Sequence, residues 1–183
     1  MEGRKGRSAG FTLIELMVAL SLVALLLTVA IPSYQSLRQE QMVKAATQAV
    51  YTDMMLLKSE AIKRNRPITF KIFNAGQANW CYRIALDSTC NSCADSCSAV
   101  EGRKGVDANE FSGIALTANY ELSGFEQAIE INNRRGLFKD LHGSGGLGNG
   151  SICLKNGTIE YRVIIASNGR IRTEQVTGTS PCG

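Results

Sequence analysis

From Phe11 to Ile31 the chain is an apolar run with one charge in it, Glu15. These 21 residues, wound as an α-helix rising 1.5 Å per residue, span ~31 Å, about the hydrocarbon thickness of one bilayer. Pro32 closes the run, where a proline removes a helical hydrogen bond and kinks or loosens the axis. Beyond it Met42, Ala46, Ala49, Leu57 and Ala61 recur at helical spacing with no glycine or proline between them, so the helix is predicted to resume from Ser33 to about Arg64. Arg38, Lys44, Lys58 and Lys63 fall on its solvated side.

Asn65-Arg66-Pro67 breaks that periodicity, and period-two segments follow. Ile68, Phe70 and Ile72 alternate with Thr69, Lys71 and Phe73, and Trp80, Tyr82, Ile84 and Leu86 alternate with Cys81, Arg83, Ala85 and Asp87, so 74–79 reads as a hairpin loop. Further strands are expected at 114–122, 128–132, 151–154, 159–166 and 171–176. The pattern is α+β, a long helix packed on antiparallel sheet. It divides the chain into a leader at 1–10, a membrane and assembly helix segment at 11–32, an amphipathic helix at 33–64 and a β-rich globular part at 65–183.

Charge refines the picture. The formal net charge is +4, and Arg4, Lys5 and Arg7 against Glu2 supply +2 of it, leaving +2 for everything after residue 10. A general polyanion binder is therefore not indicated, and any nucleic-acid contact must rest on a local patch. Basic residues before an apolar helix hold that end in the cytoplasm and send the remainder across the inner membrane. The six cysteines, at 81, 90, 93, 97, 153 and 182, all lie beyond the apolar run, as disulfides in an oxidising compartment would. Cys153 is expected to pair with Cys182, which would tie down the C-terminal tail, and Cys81, Cys90, Cys93 and Cys97 to form two further bonds. A metal site at these cysteines is disfavoured, because one C-x₂-C without a second offers a poor tetrahedral set.

Glu15 remains to be explained. A carboxylate costs ~2.5–3.5 kcal/mol at the centre of a bilayer and less near its edge, so it calls for a partner. Neither a secretory signal peptide nor a plain membrane anchor supplies one. Gly10-Phe11-Thr12-Leu13-Ile14-Glu15 closely resembles the leader junction of type IV pilins and type II secretion pseudopilins. That resemblance implies a prepilin peptidase that cuts after Gly10 and methylates the new terminal amine on Phe11. It also implies that Glu15 pairs with the Phe11 amine of a neighbouring subunit, where the charge fixes register. The strand ending Ile131-Asn132-Asn133-Arg134-Arg135-Gly136, the segment Ser151–Leu154 and Val163–Arg172 are similar to the GspH/FimT branch of that family.

Gly169-Arg170-Ile171-Arg172 places two arginines on one strand face. In the FimT-like branch such a GRxR is associated with duplex DNA binding during natural transformation. Similar sequences in GspH-like relatives, or a charged edge that guards against strand aggregation, are the other readings. Gly143–Gly148 satisfies GxGxxG but lacks the strand before it and the helix after it that a dinucleotide site needs. His142 is the sole histidine and no catalytic motif appears, so no enzymatic activity, cofactor, metal or small-molecule substrate is expected. The expected role is a minor pilin that primes or caps a type IV pilus beside other minor and major pilins, with the H-type pseudopilin of a type II secretion system as the alternative.

Overall fold

In the computed structural model the described residues are 10–86, 90–95, 97, 100, 102, 105–119, 126–132, 135–140, 149–166 and 168–177. Residues 1–9 of the leader, His142, the glycine run 143–148 and Cys182 lie outside them. Among the described residues one helix, α1 (Leu13–Arg64), precedes nine strands: β1 (Ile68–Phe73), β2 (Cys81–Ala85), β3 (Gly105–Asp107), β4 (Ala115–Asn119), β5 (Glu126–Ile131), β6 (Phe138–Asp140), β7 (Gly150–Asn156), β8 (Ile159–Ile165) and β9 (Ile171–Gln175). The short strands β3 and β6, and a single 3₁₀ turn at Ala108–Phe111, carry too little pattern to be visible in the sequence. The chain divides into two compact units, residues 1–38 and 39–183.

In the first unit the helix runs through Pro32 without interruption. Every residue from Gly10 to Arg38 is exposed within the chain, including Phe11 at 83% and Leu13 at 77%. A run of leucine, isoleucine and valine that finds no partner among the described residues requires another apolar medium.

The second unit holds the core. Its part of α1 buries Val43, Ala46, Val50, Met54, Leu57 and Ala61, one face at helical spacing. Val43, Val50 and Met54, not Met42 and Ala49, complete the stripe with Ala46, Leu57 and Ala61; Met42 and Ala49 sit half-buried at its border. Two antiparallel sheets supply the rest of this core: a five-stranded one in the order β3-β2-β1-β5-β6 and a four-stranded one in the order β4-β7-β8-β9. Phe70, Ile72, Tyr82, Ile84 and Ile129 come from the first, and Leu116, Ile152, Leu154, Val163 and Ile165 from the second.

Two polar groups are locked into the junction of helix and sheet. The Tyr82 hydroxyl donates to Asp53 at 2.7 Å, and the Tyr82 ring stacks on Phe70 with centroids 4.8 Å apart. Glu60 is almost fully buried near the C-terminal end of α1, where the helix dipole disfavours a negative charge. Arg64 Nε at 2.7 Å and Lys63 Nζ at 3.0 Å compensate it, and these bonds hold its carboxyl below the usual carboxylate range.

Lowering one group's folded pKa adds stability that is fully present above its ordinary pKa of about 4.5 and is lost as the pH falls through the lower folded value. Acid titration of thermal stability should therefore show a loss below about pH 4.5 that shrinks in Glu60→Gln. Tyr82→Phe removes one donor from a buried carboxylate and should cost about 1–3 kcal/mol in equilibrium unfolding.

Candidate functional site

The first candidate region is the N-terminal segment. Thr12 precedes the first helical residue and its Oγ1 accepts the backbone N–H of Glu15 at 3.3 Å, half of a capping box. Glu15 thus occupies the first turn, where the helix dipole favours a carboxylate. Its side chain is exposed and has no partner among the described residues. Gly10 and Phe11 lie just outside the helix, in exposed chain without regular secondary structure. The geometry is that of a reachable peptide bond at 10–11 followed by an uncompensated negative charge at the edge of an apolar helix.

The second region is the cysteine-rich loop. The alternation in β1 and β2 predicts one buried and one solvated face, but all six residues of β1 and all five of β2 are buried. The segment around 90–97 explains this. Phe73, Cys81, Ala85, Cys90 and Cys97 form a second small cluster on the side of the sheet away from the helix. Disulfides join Cys81 to Cys93 and Cys90 to Cys97, which resolves the two bonds that the sequence left unpaired.

Buried cations complete the attachment. Lys71 Nζ donates to the Cys90 carbonyl at 2.7 Å. Arg83 donates to the carbonyls of Cys93 at 2.6 Å and Val106 at 3.2 Å and pairs with Asp107 at 2.6 Å. A lysine and an arginine in mid-strand beside clustered cysteines were the available signal for this cap, and sequence reasoning passed over it. Within the loop Asp95 accepts the Asn91 N–H and the Ser92 hydroxyl, each at 2.8 Å, which lowers its pKa. Cys81, Cys93 and Asp107 are close enough to gather round an ion, but the sulfurs are joined to each other and the carboxylate is paired with Arg83. Cys153 is disulfide-bonded and buried; Cys182, its expected partner, lies outside the described residues.

The third region is the GRxR. Gly169 is buried with φ +83°, and a Cβ there would stand 2.8 Å from the Gly136 carbonyl oxygen. Lys58 Nζ donates to the Gly169 carbonyl at 2.7 Å. Lys58 therefore ties the helix to the β8–β9 turn instead of standing in solvent, and Gly169 is fixed by close packing. Arg170 and Arg172 are exposed. Arg172 lies a loose 3.7 Å from Glu174, while Arg162 on the adjacent strand is bonded to the same carboxylate through Nε at 2.6 Å and through Nη2. The cationic surface is smaller than the sequence alone suggests.

Beside it, α1 and the second sheet enclose a groove of about 450 Å³ lined by Gln41, Lys44, Gln48, Tyr161 and Thr173 among others. Lys44 bonds Glu40 at 2.7 Å, and the Tyr161 hydroxyl donates to the same oxygen at 3.2 Å. This mutual contact raises the Lys44 pKa and lowers that of Glu40.

An exposed apolar helix segment that lacks partners among the described residues, followed by a helix-on-sheet domain, defines the class of pilin-like, membrane-anchored subunits. Residues 5–31 match the prokaryotic N-terminal methylation motif. Residues 46–169 match the model of GspH, the type II transport protein, and the chain belongs to that family. Among solved structures, the minor pseudopilin EpsH of the Vibrio cholerae type 2 secretion system is similar, at 16% identity and a TM-score of 0.44, over 73% of this chain and 96% of that one. No curated protein sequence matches significantly.

Gly169→Ala should lower stability by about 1–3 kcal/mol, because a side chain at that backbone conformation is strained and its Cβ meets backbone. Thermal unfolding of Gly169→Ala beside Arg170→Ala, which removes an exposed side chain, checks this; equal midpoints would contradict it.

Proposed function

We propose that this chain is the H-type minor pseudopilin of a type II secretion system, a subunit that acts by assembly and not by catalysis. The match of the globular part to the GspH model carries this reading. It is supported by the methylation motif and by the unpartnered Glu15 carboxylate within an exposed apolar segment. The order of events follows from the chemistry. The basic leader keeps the N-terminus cytoplasmic while the domain lies across the inner membrane. Prepilin peptidase cleaves after Gly10 and methylates Phe11. The new amine is a cation at the edge of the bilayer, and Glu15 of an adjacent subunit neutralises it, since an apolar assembly excludes a lone charge and accepts a pair. The apolar helix then leaves lipid for a bundle of like helices.

The methylation motif suits a minor pilin of a type IV pilus as well, so the two readings separate in the cell. Deleting the gene should abolish export of the type II substrates and leave pili intact. Lost pili with normal secretion would make the chain a pilus subunit, and no change in either would overturn the assembly role. Duplex DNA binding rests on Arg170 alone with half of Arg172. It is expected as weak association, on the order of 10⁻⁴ M, that falls with salt at a slope of roughly −0.9 per phosphate contacted.

Intact-mass measurement of the membrane-extracted chain should show a mature N-terminus at Phe11 carrying one methyl group; a chain that retains Met1 would sink the processing step. Glu15→Ala should be processed and folded yet fail to restore secretion to the deletion strain.

A further inference from the structure

Strand β9 is an open edge above a groove. Among the described residues it pairs only with β8. The flanking bonds Val176 N–H to Glu160 O and Ala166 N–H to Arg170 O put Arg172 and Glu174 in the hydrogen-bonded positions of that ladder. The backbone N–H and C=O of Ile171, Thr173 and Gln175 therefore point outward. None of these three has a hydrogen bond elsewhere in the chain. The proline, bulge or inward-pointing charge that commonly blocks such an edge is absent from β9. The groove of about 450 Å³ between α1 and the second sheet has Gln41, Lys44 and Gln48 on one wall and Tyr161 and Thr173 on the other. A strand added beyond β9 would close it, with alternate side chains turned inward.

Direction limits what can add there. Tyr161 of β8 bonds Glu40 of α1, and Lys58, further along the helix, bonds the Gly169 carbonyl just before β9. So β8 runs with α1, and β9 runs back toward its N-terminal end. A strand antiparallel to β9 must run with α1. Pairing β9 with β9 of a second copy would set the two helices against each other, which subunits anchored in one membrane do not allow. In the second sheet β4 also runs with α1. It is no free partner: the Leu116 carbonyl accepts the Gly76 N–H at 2.7 Å, and Ala118 is engaged as well. The strands β3 and β6 are three residues each, too short to match the five of β9.

We propose that β9 and its groove accept an extended strand from a different membrane-anchored subunit, one whose helix runs parallel to α1. The identity of that partner rests on the assembly reading above, whereas the acceptor edge does not. Free N–H and C=O groups at every second residue are matched by another extended backbone, and Ile171, Thr173 and Gln175 would each exchange two bonds with it. Side chains set the partner's chemistry. Lys44 and Glu40 neutralise each other, so uncharged inward residues suit the groove. On the outer face Glu174 is held by Arg162, while Arg172 lies 3.7 Å from it, too long for a hydrogen bond. Arg170 is exposed beside it, so the outer face of this edge is cationic. Arg172 would stand in a non-hydrogen-bonded pair, where opposed side chains come closest, and the fitting residue there is an aspartate or glutamate.

Cross-linking of the full chain in its membrane tests the site. A benzophenone cross-linker placed at Gln48, in the groove, should join a second protein. Peptide mapping should locate the joined residue in a chain that has its own N-terminal methylation motif. Thr173→Pro removes an outward N–H and leaves the bonds to β8 intact, which an edge strand tolerates. It should cut the adduct about tenfold, since an edge bond is lost and the ring crowds the partner. Thr173→Val keeps the N–H and should preserve the adduct. Arg172→Glu should cut it about fivefold, and Arg172→Lys should leave it level. Arg172 is exposed, so its variants should melt with the wild type and decide the matter if Thr173→Pro unfolds. No adduct, an adduct to a second copy of this chain, or indifference of the adduct to either Arg172→Glu or a folded Thr173→Pro would each overturn the proposal. Secretion by the same strains reads the assembly role separately, so failure of the edge in a secreting strain leaves that role standing.

Discussion

A helix of 52 residues serves two media, and most of what this protein does follows from that division. From Gly10 to Arg38 every residue is exposed; from Val43 to Ala61 the same helix supplies one wall of the hydrophobic core. Another apolar medium must take the place of a core for the first part. Glu15 sits at the far end of that part. A helix cap and the dipole make the position tolerable, and neither neutralises the charge. Glu15 is therefore a charge without a partner among the described residues, and the assembly proposed above is what would supply its cation.

The globular domain addresses a different problem, that of a sheet with a helix on only one side. Its central strand β1 is buried on both faces. The helix covers one, and the cysteine loop covers the other with two disulfides, a small apolar cluster and the donors of Lys71 and Arg83. Loops in such a place seldom bury enough apolar area to stay closed, and cross-links constrain the open state instead. Lys71 and Arg83 spend their donors on backbone carbonyls, which satisfies groups that the loop would otherwise bury unpaired. The GRxR segment follows similar logic. Its glycine belongs to the packing of three elements, Lys58 of the helix and the turns at Gly136 and Gly169, and only its arginines face outward.

The sequence by itself determined the helix, its apolar half, the N-terminal methylation motif and most of the longer strands, because each is written in local periodicity or in a contiguous motif. An apolar run of 21 residues from Phe11 to Ile31, interrupted by one charge, has few other physical solutions, and the alternation around Phe70 and Tyr82 reads as strand. Tertiary structure decided what depends on residues far apart in the chain. Which cysteines join, whether Lys71 and Arg83 face solvent or a cap, and that Lys58 reaches Gly169 across 111 positions are set by folding the loop and sheets together. The same holds for β3 and β6, three-residue strands with no stable pattern of their own, which exist because an adjacent strand offers them a ladder. It holds too for Arg162 and Arg172, alike on the page: the register of β8 on β9 sets Glu174 directly across from Arg162, so the carboxylate binds Arg162 tightly and reaches Arg172 only loosely. Short-range pattern encodes the elements, whereas charge pairing and burial arise from contacts whose partners the linear order does not bring together.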